Sequence, residues 1–277
     1  VAWRSIALAG AGLILVWGWL ALGVPLASRA SEGMSDASGE TVFTLMLFGP
    51  MLVVAIGLAS FTGTLSAWSL RGLGRGLGGG AALGLAGLAL AIVYCAVAGT
   101  MTVGGSAVSA ALPLGVASIG LQVIAEEAMF RGYLQPLLVR GIGATAGVAA
   151  SAAGFALLHG VAAAADLVTI ANMLLGGLLF GVLALRGGIA AAVGAHLAWN
   201  GMEQLGLGLD PNPGTGAFGS LIDLDLVGAV RWGGSEAGLN ASWAMTFALG
   251  ATLAFLLSRT ARVGSATVSA MPRAVRR

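Results

Sequence analysis

The chain contains no lysine: all 13 of its basic residues are arginines. That absence excludes a Walker-type phosphate lysine, a Schiff-base lysine and a Ser–Lys protease dyad. A single cysteine, Cys95, leaves no internal disulfide and no CxxC metal site. Charge is scarce as well. Only 9% of the 277 residues are Asp, Glu, Lys or Arg, against about 25% in ordinary globular domains. So few charges cannot cover the surface of a soluble fold of this length. Thirteen scattered arginines also make no basic patch, so no nucleic-acid partner is expected.

Apolar sequence takes the place of charge. Hydrophobic residues make up 58% of the chain, in runs long enough to cross about 30 Å of hydrocarbon at about 1.5 Å per residue. The runs fall at Ile6–Leu26, Thr41–Phe61, Ala81–Ala98, Leu112–Leu138, Ala144–Ala165, Leu167–Leu185, Gly188–Leu205 and Ala241–Leu257. This predicts an all-α polytopic membrane protein with about eight transmembrane helices in one bundle, embedded in a lipid bilayer. The first run exceeds the roughly 7–15 apolar residues of a signal-peptide core, which predicts a retained helix.

The connector charges predict an orientation. Arg4 precedes the first run, and Arg71, Arg75, Arg140 and Arg186 lie in later connectors of the same parity. Arg259, Arg262, Arg273, Arg276 and Arg277 follow the last run. The opposite connectors carry Glu32, Asp36 and Glu40 against Arg29, and then Asp210, Asp223 and Asp225. Positive-inside logic puts both termini in the cytoplasm of a multi-pass inner (plasma) membrane protein. Gly74-x-Gly76-x-x-Gly79 formally matches a dinucleotide fingerprint. With no preceding strand and no βαβ unit, it predicts no cofactor role.

Three charges violate the apolar pattern. Glu126, Glu127 and Arg131 interrupt the fourth run, where a charge costs about 2.5–3.5 kcal/mol even on lenient insertion scales. Glu127 and Arg131 are spaced i,i+4 and predict a pair on one helix face. Glu126 points about 100° away and has no comparable partner, which leaves it available as a base. The only histidines, His159 and His196, fall in later apolar runs. Phe155 lies four residues before His159 and predicts a packing wall for its ring. Asn200 lies four residues after His196, so an imidazole and an amide project together and offer neutral N–H donors to an oxyanion. Ser151 is two turns from His159, too far for a serine dyad, and Asp166 is the only aspartate near a span, one short of an aspartyl pair.

The order Glu-Glu-x-x-x-Arg, Phe-x-x-x-His, His-x-x-x-Asn on separate helices resembles the CAAX-protease and bacteriocin-processing (Abi) family, which includes the type II CAAX prenyl endopeptidases. The resemblance covers roughly Leu121 to Gln204, with a weak further element at Gly233-Gly234-x-x-x-Gly238-x-x-x-Ser242. It implies an intramembrane endopeptidase with an interior polar cavity that opens to the cytoplasm. Glu126 would activate water with help from His159, and His196 and Asn200 would hold the oxyanion. Glu127, Arg131 and Phe155 would support them. The implied substrate is a membrane-associated protein or peptide, and no cofactor is expected. The alternative within this class is a Zn²⁺ metalloprotease with Glu126, His159 and His196 as ligands. Non-catalytic alternatives are an immunity or scaffold protein and a proton-coupled transporter. The expected divisions are N-terminal helices over 1–110, a catalytic core over 111–260 and an Arg-rich cytoplasmic tail over 261–277.

Overall fold

The computed structural model describes residues 2–68, 72–105, 108–163, 166–234 and 238–270, with side chains of 67, 160–163 and 260–270 not described. Arg71, most of the Arg-rich tail (side chains of 261–270, all of 271–277), and the centre of the Gly233–Ser242 element therefore lie outside the described residues.

The architecture is all-α. Helices α1 (Ala2–Ser31), α2 (Asp36–Thr62) and α3 (Leu73–Ala98) are followed by a short strand, β1 (Met101–Val103). Next come α4 (Leu112–Glu127), a π-helical turn at Ala128–Leu134, α5 (Gln135–Ile142), α6 (Ala144–Ala163), α7 (Leu167–Gly187) and α8 (Ile189–Gly201). After α8 lie a second π-helical turn (Met202–Gly206), β2 (Leu224–Leu226) and α9 (Trp243–Ala270). Among the described residues, five helices are long and apolar enough to cross a bilayer: α1, α2, α3, the continuous Leu112–Ile142 unit and α7. Residues such as Ile14, Trp17, Phe61, Val97 and Phe247 present large apolar side chains outward, as lipid contact requires. The chain is a multi-pass membrane protein. Two further apolar helices, Ala144–His159 and Trp243–Arg259, are shorter.

The glycine-rich stretch predicted as a connector belongs to α3 from Leu73 onward. A Cβ on Gly80 would strike the Ala191 carbonyl, and one on Gly194 would strike the Leu77 carbonyl. Backbone-to-backbone approach of this kind is how small residues join helices where no hydrophobic effect drives them together. α3 and α8 are thereby locked side by side. Gly188 supplies the one-residue corner between α7 and α8 with φ 76°, a conformation open to glycine at no steric cost.

Pro136, near the end of the fourth run, is a residue able to break or kink it and leave Gln135–Gly143 as an interfacial turn. The structure corrects this: the helix runs on to Ile142. Pro136 has no N–H for the carbonyl of Gly132, four residues earlier. The Trp68 indole N–H donates to that carbonyl instead, at 3.0 Å, so the break is healed from the connector after α2.

At one end of the bundle the connectors are tied together. β1 and β2 pair antiparallel, Met101 opposite Leu226 and Val103 opposite Leu224. Backbone N–H groups of Leu221, Ile222 and Leu224 donate to the carbonyls of Leu205, Gly206 and Leu207, which closes the C-terminal end of α8. The Asn172 amide donates to the carbonyls of Asn240 and Ser242 at 2.8 and 2.9 Å. At the other end Arg140 donates to the Thr62 carbonyl and Arg186 to the Leu256 carbonyl. Arg4, Arg75, Arg140, Arg186 and Arg259 all belong to this second end.

Candidate active site

Glu126 and Glu127 close α4, immediately before the π-helical turn, a departure from α geometry that often accompanies functional sites. The neighbouring carboxylates face different partners, as the helical spacing predicts. Glu127 is wholly buried. Its Oε1 accepts from Arg131 at 3.0 Å and from His196 Nδ1 at 2.9 Å. Arg131 donates its second terminal nitrogen to the Gly177 carbonyl at 3.2 Å and stacks over the Phe155 ring at 4.7 Å. The expected Glu127–Arg131 pair is present, and His196 is a third member that spacing alone does not reveal.

Glu126 is also buried, with two imidazoles on its carboxylate. His159 Nε2 lies 3.8 Å from Oε1, and His196 Nε2 lies 3.8 Å from Oε2. Glu126 is not without a helical partner: Gln122, one turn earlier, donates to its Oε1 at 3.1 Å. This partner was legible in the spacing, since Gln122 stands four residues upstream of Glu126 on the same helix.

Hydrogen bonds at the far side of each ring fix the tautomers. His159 Nδ1 lies 2.9 Å from the Phe155 carbonyl, which only accepts, so Nδ1 carries the proton. The same holds for His196, whose Nδ1 meets a carboxylate already paired with arginine. Each neutral ring therefore turns an unprotonated Nε2 toward Glu126. Three acceptors converge on one small volume, a place suited to a molecule with protons to give, such as water. This corrects the expectation that neutral His196 offers an N–H to an oxyanion; it does so only as an imidazolium. Ring packing holds the arrangement. Phe180 stacks on His196 with centroids 4.5 Å apart, and Phe155 lies 4.2 Å from His159, the wall expected of it.

Asn200 lines the same cleft, a space of about 220 Å³ that reaches from Glu126 and the histidines to Asn172, Glu203 and Asp210. Among the described residues Asn200 has no hydrogen bond within the protein, so its amide faces the cleft. Glu203, Asp210 and Asn172 are not among the expected site residues. Glu203 was the detectable one, an acid inside the predicted run Gly188–Leu205 and seven residues, two helical turns, beyond His196. A second, apolar groove of about 320 Å³ between α1, α2 and α6 also reaches Glu126 and His159, past Val16, Leu20 and Met51. The site thus meets a polar cleft on one side and a lipid-like groove on the other.

The cleft sits at the end opposite Arg4, Arg75, Arg140, Arg186 and Arg259; the cleft end carries only Arg29 and Arg231 among the described arginines. His159 is near the end of α6, Asn172 near the start of α7, and Asn200 at the end of α8, with Asp210 and Asn240 on the connector beyond. The expected arginine face in the cytoplasm and the expected cavity opening to the cytoplasm are therefore incompatible, because the two lie at different ends of the bundle. Ser151 donates to the Phe130 carbonyl, and Asp166 caps α7 through the N–H groups of Val168 and Thr169. Both are structural. Among the described residues no group of three or more His, Cys, Asp or Glu is arranged to hold a metal ion.

Comparison with curated proteins and with solved structures yields no match. A family model does match: residues 108–202 fit the one described as type II CAAX prenyl endopeptidase, Rce1-like. That segment contains Glu126, Glu127, Arg131, His159, His196 and Asn200, and over it the chain is similar to this CAAX-protease family.

Proposed function

We propose that the protein is an intramembrane endopeptidase that hydrolyses a peptide bond of a membrane-associated protein or peptide without a cofactor. The observation that carries this reading is the convergence of the Glu126 carboxylate with two unprotonated imidazole nitrogens, each 3.8 Å away. A water among these acceptors is oriented by hydrogen bonds, and Glu126 takes one of its protons as the oxygen attacks the scissile carbonyl. The carbonyl π pair moves to oxygen. The Asn200 amide N–H stabilises that anion, with Glu127 holding the His196 ring in place through Nδ1. Glu126 then returns its proton to the leaving amine as the C–N bond breaks. His159 keeps the water on Glu126, and Phe155 keeps His159 in place.

The bundle crosses the membrane with eight helices, the short α6, α8 and α9 included, and the cleft is its polar cavity. A substrate's apolar segment enters from the bilayer through the groove between α1, α2 and α6, while water and polar chain use the cleft. The N-terminal helices thus form part of the wall of the 111–260 core. With the arginine end in the cytoplasm, the cleft faces the opposite, extracytoplasmic side.

The deciding experiment is Glu126→Gln, which keeps the shape and the Gln122 neighbour but removes the base. Turnover of a cleavable membrane-anchored reporter should fall about 10²–10⁴-fold, whereas Cys95→Ser should stay near wild type. Retention of most activity by Glu126→Gln overturns the assignment. Cleavage in proteoliposomes without any ion gradient separates a peptidase from a transporter, and absence of cleavage by the wild type favours the immunity or scaffold alternative.

A further inference from the structure

The mechanism uses one end of the cleft and leaves the other unexplained. There Glu203 is 3% exposed, and its Oε1 is buried with no hydrogen-bond partner. The neighbouring acid is brought to it by the backbone: the Leu209 N–H donates to the Glu203 carbonyl at 2.9 Å, which sets Asp210 beside the last turn of α8. Both carboxylates line the cleft, together with the amides of Gln204 and Asn240. No arginine lines it among the described residues, in contrast to Glu127, which has Arg131.

A buried carboxylate with an orphaned oxygen is costly unless a cation or proton donor completes it. Burial pushes the Asp210 carboxyl up from its ordinary value, which reflects the same unmet demand. The pair is too small for a metal cage among the described residues. Two carboxylates beside two amides suit an organic cation instead, a guanidinium or ammonium with several N–H donors.

Distance connects this end to the chemistry. Glu203 is seven residues beyond His196 along one helix, about 10 Å at the helical rise. An extended peptide covers that in about three residues. We propose that the Glu203–Asp210 end of the cleft is a specificity subsite that receives a lysine or arginine side chain of the peptide to be cut, within about three residues of the scissile bond. The subsite rests on the endopeptidase reading for its purpose but not for its detection.

The test uses the purified full-length protein in detergent and fluorescent apolar peptides that differ at one position: Arg, Lys, Leu or Glu. Binding to the Glu126→Gln protein is measured by anisotropy, and cleavage by the wild type in parallel. Arg and Lys peptides should bind about tenfold or more tightly than the Leu peptide, as hydrogen bonds to a charged partner imply, and the Glu peptide more weakly still. Adding Glu203→Gln should abolish the difference. Asp210→Asn, on the connector, is the second variant should Glu203→Gln fail to fold, and it should reduce the preference. Equal binding of all four peptides, no binding, or a preference unchanged in the folded variants overturns the subsite. A basic preference in binding without cleavage by the wild type keeps the subsite and refutes the peptidase. Cleavage indifferent to the basic residue does the reverse.

Discussion

His196 Nδ1 lies 2.9 Å from Glu127 Oε1, and this one contact joins the buried Glu127–Arg131 ion pair to the ring that faces Glu126. Glu127 accepts from Arg131 and from His196 through the same oxygen. The charge that holds the helix together thereby also sets which imidazole nitrogen faces Glu126.

That sharing predicts the outcome of breaking the pair. Arg131→Leu should leave Glu127 buried without its cation and destabilise the protein by about 3–5 kcal/mol, as single removals from buried pairs do. The double variant Glu127→Gln with Arg131→Leu should recover part of the loss. Thermal unfolding midpoints of the purified proteins in detergent give the ranking; equal midpoints for the single and double variants would count against the pairing.

Helix packing gives a prediction independent of catalysis. Gly80→Ala should lower the unfolding midpoint markedly, because its Cβ meets the Ala191 backbone, which cannot rotate aside. Gly78→Ala, two residues earlier with no atom within 4 Å of its Cβ, should match or slightly exceed wild type, since alanine favours helix by about 1 kcal/mol. Similar effects at the two positions would refute the close α3–α8 contact.

The sidedness of the cleft is open to labelling. In a Cys95→Ser background, a cysteine at Glu32 should react with a membrane-impermeant maleimide on intact cells. One at Arg75 should react only after permeabilisation. The reverse pattern would place the cleft in the cytoplasm and the arginines outside.

Metal dependence separates the two hydrolytic mechanisms. Cleavage should survive strong chelation and show no requirement for added Zn²⁺. Loss on chelation with recovery on Zn²⁺ alone would assign Glu126, His159 and His196 as ligands in place of the water site.

The sequence by itself determined the membrane class and singled out most of the residues that meet in the candidate site. Membrane residence followed from 9% charge and 58% hydrophobic residues, because lipid contact removes the need for a charged surface. The pairing of Glu127 with Arg131 followed from helical spacing, a local property. Glu126, His159 and His196 stood out because ionisable groups are costly in apolar runs.

Only the tertiary structure decided how these groups meet. Even zigzag spans put His159 farther along its helix than His196, yet the structure brings both rings to the one Glu126 carboxylate. The tautomers, the Trp68 bond that heals the Pro136 break, and the place of Glu203 depend on partners 64 residues away or on connector backbone. Such contacts leave no periodic trace in a sequence. Helical period records which residues share a face; which faces then meet is fixed by packing between helices remote in the chain.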